Sequence, residues 1–247
     1  GDYLMGKSKD LATGETRFVN TAGDTMTGNL AINNASGSQV TLHRTDTTIA
    51  NDDLYGQIIL SGDDADTNSS GTRGYIRGRS QGSGGGLKME FGTAGGGVAI
   101  SDPRMTINAD GIVTKPNQPH FHANRLGLTT EFRNGLVNYS VMRDTASGWN
   151  STNHQYTIPV TGVYHFGFNN IGHSNVNSSD QYHSLQFVRS GTTTDIARAY
   201  NTNDAMHECT NIAITYYLQA NDLVQITNYG GVVYGSYYNT FSIFLLG

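Results

Sequence analysis

The chain has 247 residues, of which 36% are hydrophobic and 14% charged, with 31 glycines, one cysteine and a formal net charge of −5. This length allows one large or two modest domains, and the composition carries neither the high charge of a disordered chain nor the Ala/Glu/Lys/Leu/Arg bias of a coiled coil. The acidic balance gives no electrostatic basis for a nucleic acid or an anionic membrane as partner, the lone Cys209 excludes an intrachain disulfide framework, and no apolar run is long enough to span a bilayer.

Residues 1–118 hold 20 of the glycines but only five aromatics, Tyr3, Phe18, Tyr55, Tyr75 and Phe91. Short period-two segments run through this half: Asn29–Ile32, Gln39–His43, Gln57–Leu60 and Leu87–Phe91, with glycine clusters around Gly84 and Gly95. Strands with so little apolar surface are marginal in a single chain. Three identical chains wound about one axis escape this limit by pairing each other's edges and sharing a thin core. No Gly-X-Y repeat is present, which excludes collagen.

The composition changes at Pro116-Asn117-Gln118-Pro119, a linker-like stretch, and the remaining 19 aromatics follow it. Aromatic side chains supply much of the area a core buries, so this half can close a core of its own. Strands are expected at Phe121–Leu126, Gln155–Ile158, Gly162–Phe168, His183–Val188, Thr210–Tyr217, Leu223–Thr227 and Thr240–Leu245, separated by Asn, Ser, Asp and Gly turns. That spacing describes a β-sandwich or jelly roll. Tyr164, Phe166 and Phe168 share one face of their strand, and in the last strand Phe241 and Ile243 share one face while Ser242 and Phe244 share the other. Cys209 reads as a small buried apolar side chain.

Two resemblances enter here. Ala22-Gly23-Asp24-Thr25-Met26-Thr27-Gly28-Asn29-Leu30 resembles the Gly-Asp-Thr-Met-Thr-Gly segment of bacteriophage tail fibres, and Arg104 to Val113 resembles a second fibre segment, Arg-Met-x-Ile-x-x-x-Gly-x-Val. The second half is similar to the C1q/TNF-like domain: Phe121-His122-Ala123-Asn124-Arg125 matches its Phe-x-Ala-x-Arg strand. Pro159 to Phe166 matches its Pro-x-x-Gly-Val-Tyr-x-Phe segment, and Phe241 to Leu246 its closing Phe-Ser-x-Phe-Leu-Leu. Leu218 to Val224 matches its Leu-x-x-Gly-Asp-x-Val turn, with Asn221 where glycine is usual. The resemblance implies a ten-strand jelly roll that assembles as a compact trimer.

The expected architecture is therefore all-β: an N-terminal arm or connector over 1–19, a Gly-rich intertwined trimeric β shaft over 20–118, and a C1q/TNF-like jelly-roll head over 119–247. The trimer-interface candidates are Tyr164, Tyr216, Phe241, Phe244 and Leu246. The head has no lysine and five arginines but many Asn, Ser, Thr, Tyr and His, neutral hydrogen-bonding groups beside rings that suit sugars. Receptor-binding candidates are Trp149, His173, Tyr182, His183, Tyr237 and Tyr238, in or beside expected loops.

Other clusters read less specifically. His120 and His122 share a strand face and could meet a metal on a three-fold axis, against the plainer reading of two half-exposed histidines. Asp64-Ala65-Asp66-Thr67-Asn68 has calcium-loop spacing, but Ser69 stands in place of the glycine and Tyr75 in place of the closing glutamate, which leaves a solvated acidic turn. Arg73, Arg77 and Arg79 around Tyr75 read as a polar strand face, paired with an Asp63–Asp66 turn of another chain, or as a phosphate patch. Catalysis of the glycosidase type needs two positioned carboxylates, and the head's seven acids (Glu131, Asp144, Asp180, Asp195, Asp204, Glu208 and Asp222) form no motif. No cofactor or metal is implied, and an enzyme is not expected. The expected protein is a structural and receptor-binding phage fibre. It would sit on the virion, outside cells, and contact other virion proteins through a missing or N-terminal segment and a host surface glycan through its head. The alternatives are a head-attached decorating fibre without a receptor role, or a polysaccharide depolymerase.

Overall fold

The computed structural model describes residues 29–63, 70–95, 100, 102–128, 135–171, 181–201, 209–230, 233, 235 and 237–247. The chain divides by internal contacts into residues 1–45 and 46–247. In the first unit the described residues hold no strand, although Asn29–Ile32 and Gln39–His43 alternate as strands should. A strand needs a partner edge, and Leu30, Val40 and Leu42 stay more than half exposed without one.

In the second unit the described residues are all strand, turn or loop, in three antiparallel sheets. The first sheet is a meander of β1 (Leu54–Gly62), β2 (Gly71–Gln81), β3 (Gly86–Thr93), β4 (Met105–Ile107) and β5 (Val113–Thr114), ordered as in the sequence. The fibre-like segment around Met105 is its last hairpin. Asn108 Oδ1 accepts from the Asp110 and Ile112 amides, and Gly111 takes the turn at φ +79°. The five strands pair in one chain and leave β1 and β5 as the edges of the sheet.

That sheet is sharply two-faced. In register across its strands run Ile58, Ile76, Phe91 and Met105, then Gly78, Met89, Ile107 and Val113. This apolar face is open: Ile58, Ile76, Leu60, Leu87 and Val113 are each over 40% exposed. The other face carries Glu90, which is buried among Arg77 at 2.6 Å, Lys88 at 3.3 Å and Arg79 at 3.6 Å. The arginines therefore form a polar strand face, on which Arg77 and Arg79 pair with Glu90. Tyr75 lies buried beside them, its ring across Gly92 and the Arg77 guanidinium 4.2 Å from its centroid.

All strands of the other two sheets lie from His120 onward. One sheet runs β14 (Cys209–Leu218), β11 (Gly162–Ile171), β16 (Thr240–Leu245), β6 (His120–Asn124), β8 (Ser140–Asp144). The other runs β13 (Thr192–Asn201), β12 (Gln181–Arg189), β15 (Leu223–Tyr229), β10 (Gln155–Thr157), β9 (Trp149–Asn150), with β7 (Gly135–Leu136) beside β15. The sequence crosses between the sheets repeatedly, which makes a jelly roll. Their facing sides enclose one core containing Phe121, Tyr156, Tyr164, Phe166, Phe168, Leu185, Ile226, Phe241 and Ile243. Alternation puts Tyr164, Phe166 and Phe168 inward as expected, and the Tyr164 hydroxyl donates to the Val160 carbonyl at 2.7 Å.

The turn after β14 explains an irregular residue. Asn221 stands at φ +71°, a left-handed conformation that Asn tolerates better than most side chains. Beside it Asp222 is buried and accepts both Arg189 Nε at 2.7 Å and Arg189 Nη2 at 2.6 Å. Arg125, which closes the Phe-x-Ala-x-Arg pattern, is fully buried and donates to the Asn138 carbonyl at 2.8 Å. Cys209 corrects the expectation of burial. It is exposed, because Thr210 takes the inward side of β14 at that step.

Candidate functional site

Strand polarity separates the two ends of the sandwich. The chain arrives from Lys115–Pro119 at His120, and β6 carries it to Asn124 at the far end. Register then places Thr240, Asn169 to Ile171 and Cys209 at that far end. The contact of Thr210 Oγ1 with His183 Nδ1, at 2.9 Å, brings the start of β12 to the same end. Tyr182, Tyr200 and Tyr229 are therefore far-end residues, and Tyr237 and Tyr238 immediately precede Thr240.

The first three tyrosines form one unit. Tyr182 faces out of the β13–β12–β15–β10–β9 sheet, opposite Tyr200 on one side and Tyr229 on the other. Its ring centroid is 4.4 Å from that of Tyr229, nearly parallel, and 5.2 Å from that of Tyr200. One step along, Ser184 pairs with Arg198 and Thr227. The Arg198 guanidinium lies 4.9 Å from the Tyr182 centroid, and its Nη1 is 3.5 Å from the Tyr200 hydroxyl. A further step along are Asp195, Gln186, Gln225 and Gln155. Gln155 donates to Gln225 at 2.6 Å, Gln225 to Gln186 at 2.8 Å, and Gln186 to Asp195 at 2.8 Å.

A bulge builds the charged part. Leu185 pairs with Ala197 but Gln186 with Asp195, so Ile196 is an extra residue. In a regular strand residues three apart face opposite ways. The bulge turns Asp195 and Arg198 to the same side, where Arg198 Nε donates to Asp195 Oδ2 at 2.6 Å. Burial opposes ionisation of Asp195, but hydrogen bonds from Ser184, Gln186 and Arg198 outweigh it and hold the carboxyl below its ordinary pKa.

The other candidates divide plainly. Tyr237 and Tyr238 are about half exposed, with ring centroids 4.1 Å apart and hydroxyls 2.7 Å apart. Trp149 is a correction: it stands in β9 rather than a loop, and its ring covers Phe121 at 5.2 Å and Tyr139 at 6.2 Å, which takes it into the core margin. His183 is another. Being next to the outward Tyr182 it points inward, packs 5.4 Å from Phe168 and is 7% exposed, out of a ligand's reach. His173 and the Asp64–Asn68 segment lie outside the described residues.

Among the interface candidates, Tyr164 and Phe241 are fully buried in their own chain and present no surface to a neighbour. Tyr216 sits at the mouth between the sheets near Phe187, at 5.8 Å. Phe244 and Leu246 remain on the outer side of the β14–β11–β16–β6–β8 sheet, with Val163 and Tyr217 exposed beside them. His120 and His122 are on this outer side too, half-buried, with His120 stacked 4.6 Å from Phe244. Burial, then Arg143 and His122, lower the His120 pKa. No group of three metal-ligating side chains occurs among the described residues. A cavity of about 490 Å3 lies at this near end, lined by Lys115, Pro119, His120, Arg143 and Phe244.

The carboxylates of the described head residues are all engaged structurally. Asp144 accepts from the Trp149 amide at 2.9 Å, Asp195 holds Arg198, and Asp222 holds Arg189. Among the described residues no two of these acids face each other across a cleft.

No family model matches the sequence, and no curated protein matches it. Solved structures do resemble the head. A crystal structure of murine APRIL aligns at 11% identity and TM-score 0.44, covering 52% of this chain and 99% of that one. The globular domain of zebrafish complement 1qA aligns at 16% and 0.44, covering 53% and 98%. Eiger TNF from S. frugiperda aligns at 13% and 0.42, covering 53% and 94%.

Proposed function

We propose that this protein is a homotrimeric structural and receptor-binding fibre of a bacteriophage virion, which recognises a host surface glycan through the far end of its head and has no catalytic role. The observation that carries this reading is the open apolar face of the β1–β5 sheet. A five-stranded sheet with Ile58, Ile76, Phe91, Met89 and Ile107 on one side and an ion-pair network on the other has an inside and an outside, and one chain supplies nothing described that covers the inside. Exposed apolar patches of this kind mark association surfaces. Three copies around an axis cover one another's faces and leave no face open. The outer side of the first head sheet continues the pattern, with Val163, Phe244 and Leu246 exposed around the small residues Gly167 and Ala213.

Burying the near end and that outer side among copies leaves the far end, with its five tyrosines, as the free tip. Three tips on one fibre multiply weak single-site binding. The fibre-like segment at Arg104 to Val113 supports a virion origin. The depolymerase alternative has no support among the described carboxylates, which serve as caps and ion-pair partners.

Light scattering on the intact chain tests the assembly: a species near three times 26.6 kDa is expected, and a monomer overturns it. For the receptor role, excess purified protein is expected to block adsorption of the virus that carries it. No competition would leave a decorating fibre.

A further inference from the structure

Resting on that reading, we propose that the glycan site is the outward ledge formed by Tyr182, Tyr200, Tyr229, Arg198 and Asp195, and that its ligand is an uncharged pyranose of a surface polysaccharide. Three features of the ledge favour a sugar over another occupant. Its rings are continuous across three strands, and Tyr200 stands on the edge strand β13, 57% exposed. The ring side turned away from Tyr182 is thus available to the C–H face of a sugar, while tyrosine hydroxyls and the Arg198–Asp195 pair lie within the same ledge for its hydroxyl groups.

Second, the ledge is charge-balanced. Its one cation and one anion are paired with each other, so it offers no net attraction for a sulfated or polyanionic chain and matches a neutral one. Third, it is pre-organised. The Ser184, Gln186, Gln225, Gln155 and Thr227 side chains bond in one network behind Asp195, with Ser184 at 2.7 Å from Asp195 and Thr227 at 2.7 Å from Gln186. Little ordering remains to be done on binding, which matters most for weak carbohydrate ligands. The bulge at Ile196 is the device that creates the ledge, since without it Asp195 would face the core side of β13.

A second copy of the chain does not fit as the occupant. The apolar surfaces that one chain leaves open are on the β1–β5 sheet and on the outer side of the β14–β11–β16–β6–β8 sheet, and the ledge is polar at every group except its ring faces.

The test uses the intact protein in affinity electrophoresis, with the purified neutral surface polysaccharide of the bacterium to which the virus adsorbs cast into the gel. Retardation of the wild type is expected. Tyr200→Ala and Arg198→Ala are each expected to weaken it about tenfold or more, as truncation of a central aromatic or arginine contact does. Tyr200→Phe should keep most of it. Unchanged solution mass and circular dichroism certify the fold of each variant. Equal retardation of Tyr200→Ala and wild type overturns the site while the receptor reading stands. No retardation of a wild type that still blocks adsorption overturns a neutral glycan as the ligand. Failure in both assays removes the receptor reading itself.

Discussion

His183 is the residue whose chemistry reports most directly on the far end. It is buried beside Phe168 with Thr210 on Nδ1, and burial lowers its pKa to about 4. In the unfolded chain it titrates near the ordinary 6.5, so between those values the unfolded state binds a proton that the folded state refuses. Stability from this group is complete above about pH 6.5 and is lost as pH falls toward 4, by about 3 kcal/mol in all. Thermal unfolding from pH 7 to 4 should show that slope, and His183→Gln should flatten it. Trp149 behaves as a packing residue at the same scale. Trp149→Ala is expected to destabilise the head by about 3 kcal/mol in denaturant unfolding, because its ring covers Phe121 and Tyr139.

At the scale of elements, glycine and the bulge do the shaping. Gly92 lies opposite Tyr75 in the β2–β3 ladder, and a Cβ there would overlap the Tyr75 ring. Gly92→Ala must displace a ring that is buried and flanked by Arg77, so a loss of roughly 1–3 kcal/mol is expected in chemical unfolding of the β1–β5 sheet. Strand β11 was legible in advance, because alternating aromatics at Tyr164, Phe166 and Phe168 leave one solution for which side is buried. β13 was not among the expected strands. Its Thr, Asp, Ala and Arg do not alternate cleanly, and the bulge at Ile196 shifts the phase halfway. That same shift hid the site, since Asp195 and Arg198 are three apart and an unbroken strand would hold them on opposite sides.

For the whole molecule, assembly is the question on which the proposed function turns. Ile76 is 42% exposed at the middle of the apolar face of the β1–β5 sheet. Ile76→Glu should change the stability of an isolated chain by no more than about 0.5 kcal/mol, yet on the proposed assembly it should lower the mass from three chains to one, because it would place three carboxylates on the shared axis. A variant that remains a trimer would show that the face is not where the copies meet.

Composition alone separated a glycine-rich half from an aromatic-rich one, and strand periodicity with four ordered motifs defined an all-β jelly roll after Pro119. These are local properties, carried by which side chains alternate and how much area they can bury. The tertiary structure decided the rest: that Trp149 and His183 turn inward while Tyr182 turns out, that Tyr164 and Phe241 belong wholly to their own core, and that Tyr200, Tyr229 and Arg198 join Tyr182. Those outcomes depend on cross-strand register between segments tens of residues apart. A single step in that register, such as the bulge at Ile196, reverses which side a residue faces.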